Sequence, residues 1–229
     1  MTHLGWTPGS RVERLRASHT YGFVLLFIAI AYVFIVAAPD SGWAHGVLIL
    51  IESATLGLAL WTSGLGSIRA ASALAMLGVV VAIIQLFIGT STMRGIEALL
   101  EVLLVGATVV VIGFGVFDQR EVNRKSVTGA VCIYLILGIL FTFVFDACAA
   151  FGSGPFFAQG TDGSPADRIY FSYVTLATLG YGDYTAAAQP GRSFAVLESL
   201  LGQLYLVTIV ALLVGRIGEH RQSAPGSTR

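Results

Sequence analysis

Ser164-Pro165-Ala166-Asp167-Arg168-Ile169-Tyr170-Phe171-Ser172-Tyr173-Val174-Thr175-Leu176-Ala177-Thr178-Leu179-Gly180-Tyr181-Gly182-Asp183 is the stretch on which the fold turns. Ser164 can serve as an N-cap, Pro165 suits the first helical position, and Asp167 stands three residues after the cap. A helix is therefore expected to start here and run to Ala177, about thirteen residues or roughly 20 Å. That is too short to cross about 30 Å of hydrocarbon. The stretch is flanked by two longer apolar runs, Val127–Ala149 and Ser193–Gly215. A short helix between two spans must enter the membrane and stop.

Outward from it, five segments are long and apolar enough to cross with few or no charges: Tyr21–Ala38, Ala70–Ile88, Ile96–Phe117, Val127–Ala149 and Ser193–Gly215. A sixth, Ala44–Thr62, is apolar apart from Glu52. The composition agrees. The 229 residues are 55% hydrophobic and 11% charged, whereas a soluble domain carries about a quarter charged residues. The expected fold is an all-α integral membrane protein of six transmembrane helices, with a re-entrant pore helix and filter loop between helices five and six. The first span is too long for a typical signal-peptide core, and twenty residues containing Pro8 precede it. Cys132 and Cys148 lie 16 positions apart in one apolar run, about 24 Å on a helix and beyond disulfide reach. The net charge of zero gives no reason to expect a nucleic-acid partner.

Loop charges set the orientation. With the N-terminus inside, the cytoplasmic set is Arg11, Arg14, Arg16, Arg69, Arg120, Arg124, Lys125, Arg216, Arg221 and Arg229, ten of the thirteen basic residues. Arg94, Arg168 and Arg192 fall outside. Both termini are then cytoplasmic in a multi-pass protein of the cell membrane. The loop between the fifth and sixth spans faces outward.

After the short helix comes extended backbone inside the membrane, tolerated only where it lines a polar cavity or is buried in protein. Gly180 and Gly182 allow conformations that other residues resist, and they alternate with Leu179 and Tyr181. Successive carbonyls can then point one way while side chains pack the other. Thr175-Leu176-Ala177-Thr178-Leu179-Gly180-Tyr181-Gly182-Asp183 resembles the potassium-channel signature. The usual pattern has Val at the position of Leu179 and often Thr at that of Ala177; neither difference removes a carbonyl ligand. By that resemblance, backbone carbonyls along Thr178, Leu179, Gly180, Tyr181 and Gly182, with the Thr178 hydroxyl, form the potassium-coordinating filter. Tyr181 is implied to pack outward near Phe171 and Thr175 as a cuff, and Asp183 to hydrogen-bond Tyr170 behind the outer mouth. Four copies are needed to close such a ring, which implies a homotetramer in the lipid bilayer. Potassium is the permeant ligand and no cofactor is implied.

The resemblance covers about residues 128–215. Gly202 lies nineteen residues after Asp183, where inner helices of this family commonly bear a hinge glycine. Gly202, Leu206, Ile209, Val210 and Leu213 share one helical face and are expected at the hinge or lining the cavity. The alternative is that this face packs on the fifth span and Gly202 permits close approach. Glu52, Glu97, Glu101 and Glu198 are candidate modulatory acids, because a charge at mid-bilayer costs several kcal/mol and such residues face protein or water. Arg94, Glu97 and Glu101 are spaced to share a helix face, as a polar cluster at the outer interface or as a proton sensor. Val102–Phe117 carries no charge, so the four-helix layout lacks the arginines of a voltage sensor and voltage dependence is expected to be weak.

The expected organisation is a cytoplasmic segment at 1–20, a four-helix membrane domain at 21–117, a cytoplasmic linker at 118–126, a pore domain at 127–217 and a short cytoplasmic tail at 218–229. Three rival readings remain open: a non-selective cation channel, a transporter pore, and a non-conducting modulatory subunit. The transporter is disfavoured because those pores carry four degenerate repeats in one chain, and this chain has one intact motif. Four scattered histidines (His3, His19, His45 and His220) form no nucleophile–base pair or metal cluster, so no enzyme is expected.

Overall fold

The computed structural model describes residues 21–63, 69–88, 94–117 and 124–222. The expectations for 1–20, for 118–123 of the linker and for the tail beyond Gln222 lie outside the described residues. Seven helices follow one another among those described: α1 Gly22–Ala37, α2 Gly42–Ser63, α3 Arg69–Ile88, α4 Arg94–Phe117, α5 Arg124–Phe151, α6 Pro165–Leu176 and α7 Gly191–Gln222. Each expected span falls on a helix, and the short helix of 12 residues falls between the last two long ones. The boundaries differ at two places. α5 begins at Arg124, inside the expected linker, and α7 continues past Gly215 to Gln222. By length and composition Gly42–Ser63, Arg94–Val116 and Ser126–Phe151 can each cross a membrane.

Local chemistry explains several ends. α1 stops before Pro39 because the residue preceding a proline is pushed out of the helical region. Ala38 is extended, at φ −79° and ψ 145°, and its N–H closes the last turn on the Phe34 carbonyl. Along α1 and α3 the exposed residues are themselves apolar: Phe23, Leu26, Ile30 and Val33 on one, Met76, Leu77, Val80 and Ile83 on the other. Helices that are apolar on their outer faces as well as their inner ones have lipid for a solvent. The chain is a membrane protein.

α2 packs against α1, α3 and α4, and α4 lies along α5. α1 also reaches α5 and the short α6, where Tyr32 meets Tyr173 edge-on with centroids 5.5 Å apart. The first helix thus leans on this chain's own α5–α6 unit. Val24, Ile49, Leu56, Leu104, Ile112 and Ile139 belong to one core shared by these helices. A second core is aromatic. Phe141, Phe145, Phe156, Phe157 and Phe171 are buried together, with Phe145 and Phe157 at 5.0 and 5.5 Å from Phe171. Such ring pairs contribute about 0.5–1.5 kcal/mol each beyond their area. This cluster fixes the loop before α6 to both α5 and α6.

Candidate functional site

α6 begins as its sequence dictates. The Ser164 Oγ accepts from the Asp167 N–H at 3.2 Å, the Asp167 carboxylate accepts from the Ser164 N–H at 2.8 Å, and Pro165 fills the first turn. The hydrogen bond from the Ser164 backbone holds the Asp167 carboxyl below its ordinary range. The loop before α6 is pinned to the segment after residue 183. Ala158 N–H donates to the Thr185 carbonyl and Ala187 N–H to the Phe156 carbonyl, each at 2.8 Å. Both ends of the α6–Asp183 unit are therefore held by one small backbone clasp.

The C-terminal end of α6 is closed in a way the sequence did not announce. Leu179 N–H reaches back to the Val174 carbonyl and Thr178 N–H to the Thr175 carbonyl, each at 2.9 Å. That is the Schellman pattern, whose C′ residue sits in the left-handed region and is usually glycine. Here the C′ residue is Thr178, at φ +56°. A β-branched residue there is a true outlier and costs about 1–2 kcal/mol.

Left-handed backbone then recurs at every second residue. Gly180 has φ +59° and Gly182 φ +79°, while Leu179 and Tyr181 between them do not have positive φ. In an ordinary strand successive carbonyls alternate sides. Reversing the sign of φ at alternate residues turns them toward one side, so the Thr178–Gly182 run can present a row of partial negative charges. It follows the C-terminal end of α6, where the helix dipole adds the same sign. At its outer end the Tyr170 hydroxyl donates to Asp183 Oδ2 at 2.7 Å, and the Gln159 amide donates to the Asp183 carbonyl at 2.6 Å.

Tyr181 departs from expectation. Within one chain it is 67% exposed and does not touch the Phe171 ring, which is already enclosed by Phe145, Phe156 and Phe157. Leu179 is likewise 57% exposed.

α7 is also corrected. Gly202 is buried against α6, not turned to a cavity with Leu206. A Cβ at Gly202 would meet the Leu176 carbonyl oxygen, so glycine is needed for the approach of the two helices. Leu206 is exposed and Ile209 half-buried, which splits the expected face; the side chains of Val210 and Leu213 lie outside the described residues. One turn before Gly202, Glu198 is wholly buried, with Oε1 2.6 Å from the Ser172 hydroxyl of α6.

Glu97 and Glu101 are buried and line a cavity of about 200 Å³ with Asp40, His45, Arg94, Asp146, Asp162 and Arg168. His45 stands 3.2 Å from Asp40 and 3.8 Å from Glu101, and Arg94 3.7 Å from Asp40. Burial raises the Asp40 carboxyl, but the bond with His45 and the Arg94 charge outweigh it and hold the group below its ordinary range. Arg168 pairs with Asp146 and donates to the carbonyls of Asp162 and Gly163 at 2.8 Å each. Sequence reasoning missed Arg168, Asp146 and Ser172 as site residues. Arg168 did carry a signal, because a cation in the first turn of a helix opposes the dipole and needs a reason. Glu52 is also buried, and neither of its carboxylate oxygens has a hydrogen-bond partner among the described residues.

Residues 130–219 match the family model described as ion channel. Over 99 residues the chain is 31% identical to potassium channel, subfamily K, member 16 of Mus musculus, covering 40% of this chain and 30% of that protein. Over 84 residues it is 31% identical to the inward rectifier potassium channel Kirbac3.1 of Paramagnetospirillum magnetotacticum, covering 37% and 27%. The human subfamily K member 16 is 30% identical over 96 residues, covering 39% and 28%. The chain thus spans less than a third of the length of the curated relatives it matches. No solved structure matches the chain significantly.

Proposed function

We propose that the chain is one subunit of a homotetrameric potassium-selective channel, with Thr178–Gly182 as its filter and six spans per subunit. The observation that carries this reading is the alternation of left-handed backbone at Thr178, Gly180 and Gly182, directly after a short capped helix. A single chain covers an ion from one side only. Four copies around an axis replace the hydration shell with rings of carbonyls and Thr178 hydroxyls, and potassium moves passively in single file. Under this reading α6 is re-entrant. The exposed Leu179 and Tyr181, and the exposed apolar residues Leu200, Leu204 and Val207 of α7, become contacts between copies. The similarity to channels of two potassium-channel types supports the ion assignment. The four preceding helices form a membrane domain without gating arginines, and both termini face the cytoplasm.

The deciding experiment is the reversal potential of purified protein in planar bilayers, with potassium on one side and sodium on the other. A reversal strongly favouring potassium is expected. A reversal near zero would replace this reading with a non-selective cation pore.

A further inference from the structure

Behind the filter three side-chain oxygen contacts gather where α5, α6 and α7 meet, one within α5 and two between helices. The Thr142 hydroxyl lies 2.8 Å from the Gly138 carbonyl, the Ser172 hydroxyl 2.6 Å from the same carbonyl, and Glu198 Oε1 2.6 Å from the Ser172 hydroxyl. These are O–H···O distances, and each requires a proton between its oxygens. The two hydroxyls supply one proton each and a carbonyl supplies none. The third proton belongs to Glu198. The rest of its surroundings agree. Glu198 is 0% exposed, its Oε2 has no hydrogen-bond partner, and no ion pair to it occurs among the described residues. An ionised carboxylate so placed would be uncompensated, whereas a neutral acid leaves only a bare carbonyl.

The contact has a neighbour one turn away on both helices. Ser172 and Leu176 share a face of α6, and Glu198 and Gly202 share a face of α7. Ser172 meets Glu198, and the Leu176 carbonyl meets the α-carbon of Gly202 too closely for any side chain. Leu176 belongs to the last turn of α6, which the Schellman bonds join to Thr178.

We propose that Glu198 is a positioning residue for the filter: a neutral carboxylic acid that donates to Ser172, which in turn donates to the Gly138 carbonyl, so that α7 fixes the last turn of α6 and with it Thr178. This rests on reading Thr178–Gly182 as the filter. The contact itself is tested without that reading, by infrared difference spectra of wild type and Glu198→Gln in lipid at neutral pH. The wild type should show the carbonyl band of a protonated carboxylic acid that Glu198→Gln lacks; no such band overturns the proposal. In bilayers Glu198→Gln, whose amide can still donate to Ser172, should keep the potassium-to-sodium permeability ratio within about twofold. Glu198→Leu and Ser172→Ala should each lower it about tenfold, and the double variant should fall no further than either alone. Equal damage from Gln and Leu, or additive losses, overturns the positioning role. If Glu198→Leu fails to assemble, Ser172→Ala set against Glu198→Gln decides alone. A wild type without selective current would sink the filter reading, and the infrared band with a non-additive loss of tetramer melting temperature would still decide the contact.

Discussion

Replacing Thr178 by glycine should make the protein more stable and worse at selecting its ion. Thr178 occupies the left-handed C′ position of α6 at φ +56°. Relieving a left-handed L-residue returns about 1–2 kcal/mol. Glycine gives back about 0.5–1 kcal/mol through the greater freedom of the unfolded chain. The Thr178 hydroxyl is exposed and has no hydrogen-bond partner among the described residues, so its removal breaks no bond within the chain. The net gain is about 0–1.5 kcal/mol per chain by the same figures, centred on about 0.75, which is about 3 kcal/mol over the four chains of the proposed pore. The assay is the midpoint of thermal tetramer dissociation, measured in sodium and again in potassium. Without potassium, Thr178→Gly should melt higher than wild type. Adding potassium should raise the wild-type midpoint more than the variant's, because ligand stabilisation scales with affinity and the variant has lost a ring of hydroxyl ligands. A variant that melts lower in sodium would refute the claim that the residue is strained. A variant with the full potassium increment would refute the claim that its hydroxyl is a ligand.

Gly180→Ala should abolish potassium selectivity: a Cβ there meets nothing within 4 Å in the chain, so the change acts through φ alone, at about 1–2 kcal/mol per subunit; preserved selectivity would place the filter elsewhere. Tyr170→Phe leaves Asp183 without its hydroxyl donor. It should speed the decay of current under sustained opening roughly fivefold, and an unchanged decay would show that the bond does not hold the outer mouth. Arg168→Met leaves the half-buried Asp146 without its ion pair and should cost about 1–3 kcal/mol, read as a loss of assembled protein. Arg168→Met with Asp146→Leu should recover most of it; no recovery would mean that Arg168 matters for its carbonyl bonds instead. Open probability should change little between about −100 and +100 mV, a range in which one charge crossing the full field gains about 4.6 kcal/mol. Steep activation would reveal a sensor outside Val102–Phe117.

The helices and the capping of α6 were legible because they depend on neighbours in the chain. Ser164, Pro165 and Asp167 satisfy the first turn locally, and Pro39 ends α1 locally. The Tyr170–Asp183 bond was legible through the resemblance, since the two residues bracket the motif. Contacts that need tertiary convergence were not. The outer cluster draws Asp40 from a loop, His45 from α2, Glu101 from α4, Asp146 from α5 and Arg168 from α6, and no periodicity connects these. Helical spacing says which residues of α7 lie together, not which neighbour they meet, so it left both roles of Gly202 open. Gly202 meets Leu176, while Leu206 stays exposed. Within one chain the space around Phe171 where the Tyr181 cuff was expected is taken by Phe145, Phe156 and Phe157.

Three residues in this unit break local rules, and the manner of their breaking separates structure from function. Arg168 opposes the dipole of its helix, yet an ion pair and two carbonyls satisfy it. Glu198 puts an acid in an apolar helix, yet a proton and one hydroxyl accommodate it. Those two exceptions are resolved inside the chain, so they position the unit. Thr178 is different: a left-handed glycine would close α6 with less strain, and among the described residues no hydrogen bond from its hydroxyl compensates the threonine. Unrelieved strain persists where the group it presents is used by something outside the chain. At Thr178 that group is a hydroxyl beside the first of a row of like-facing carbonyls, which is the chemistry a dehydrated monovalent cation requires.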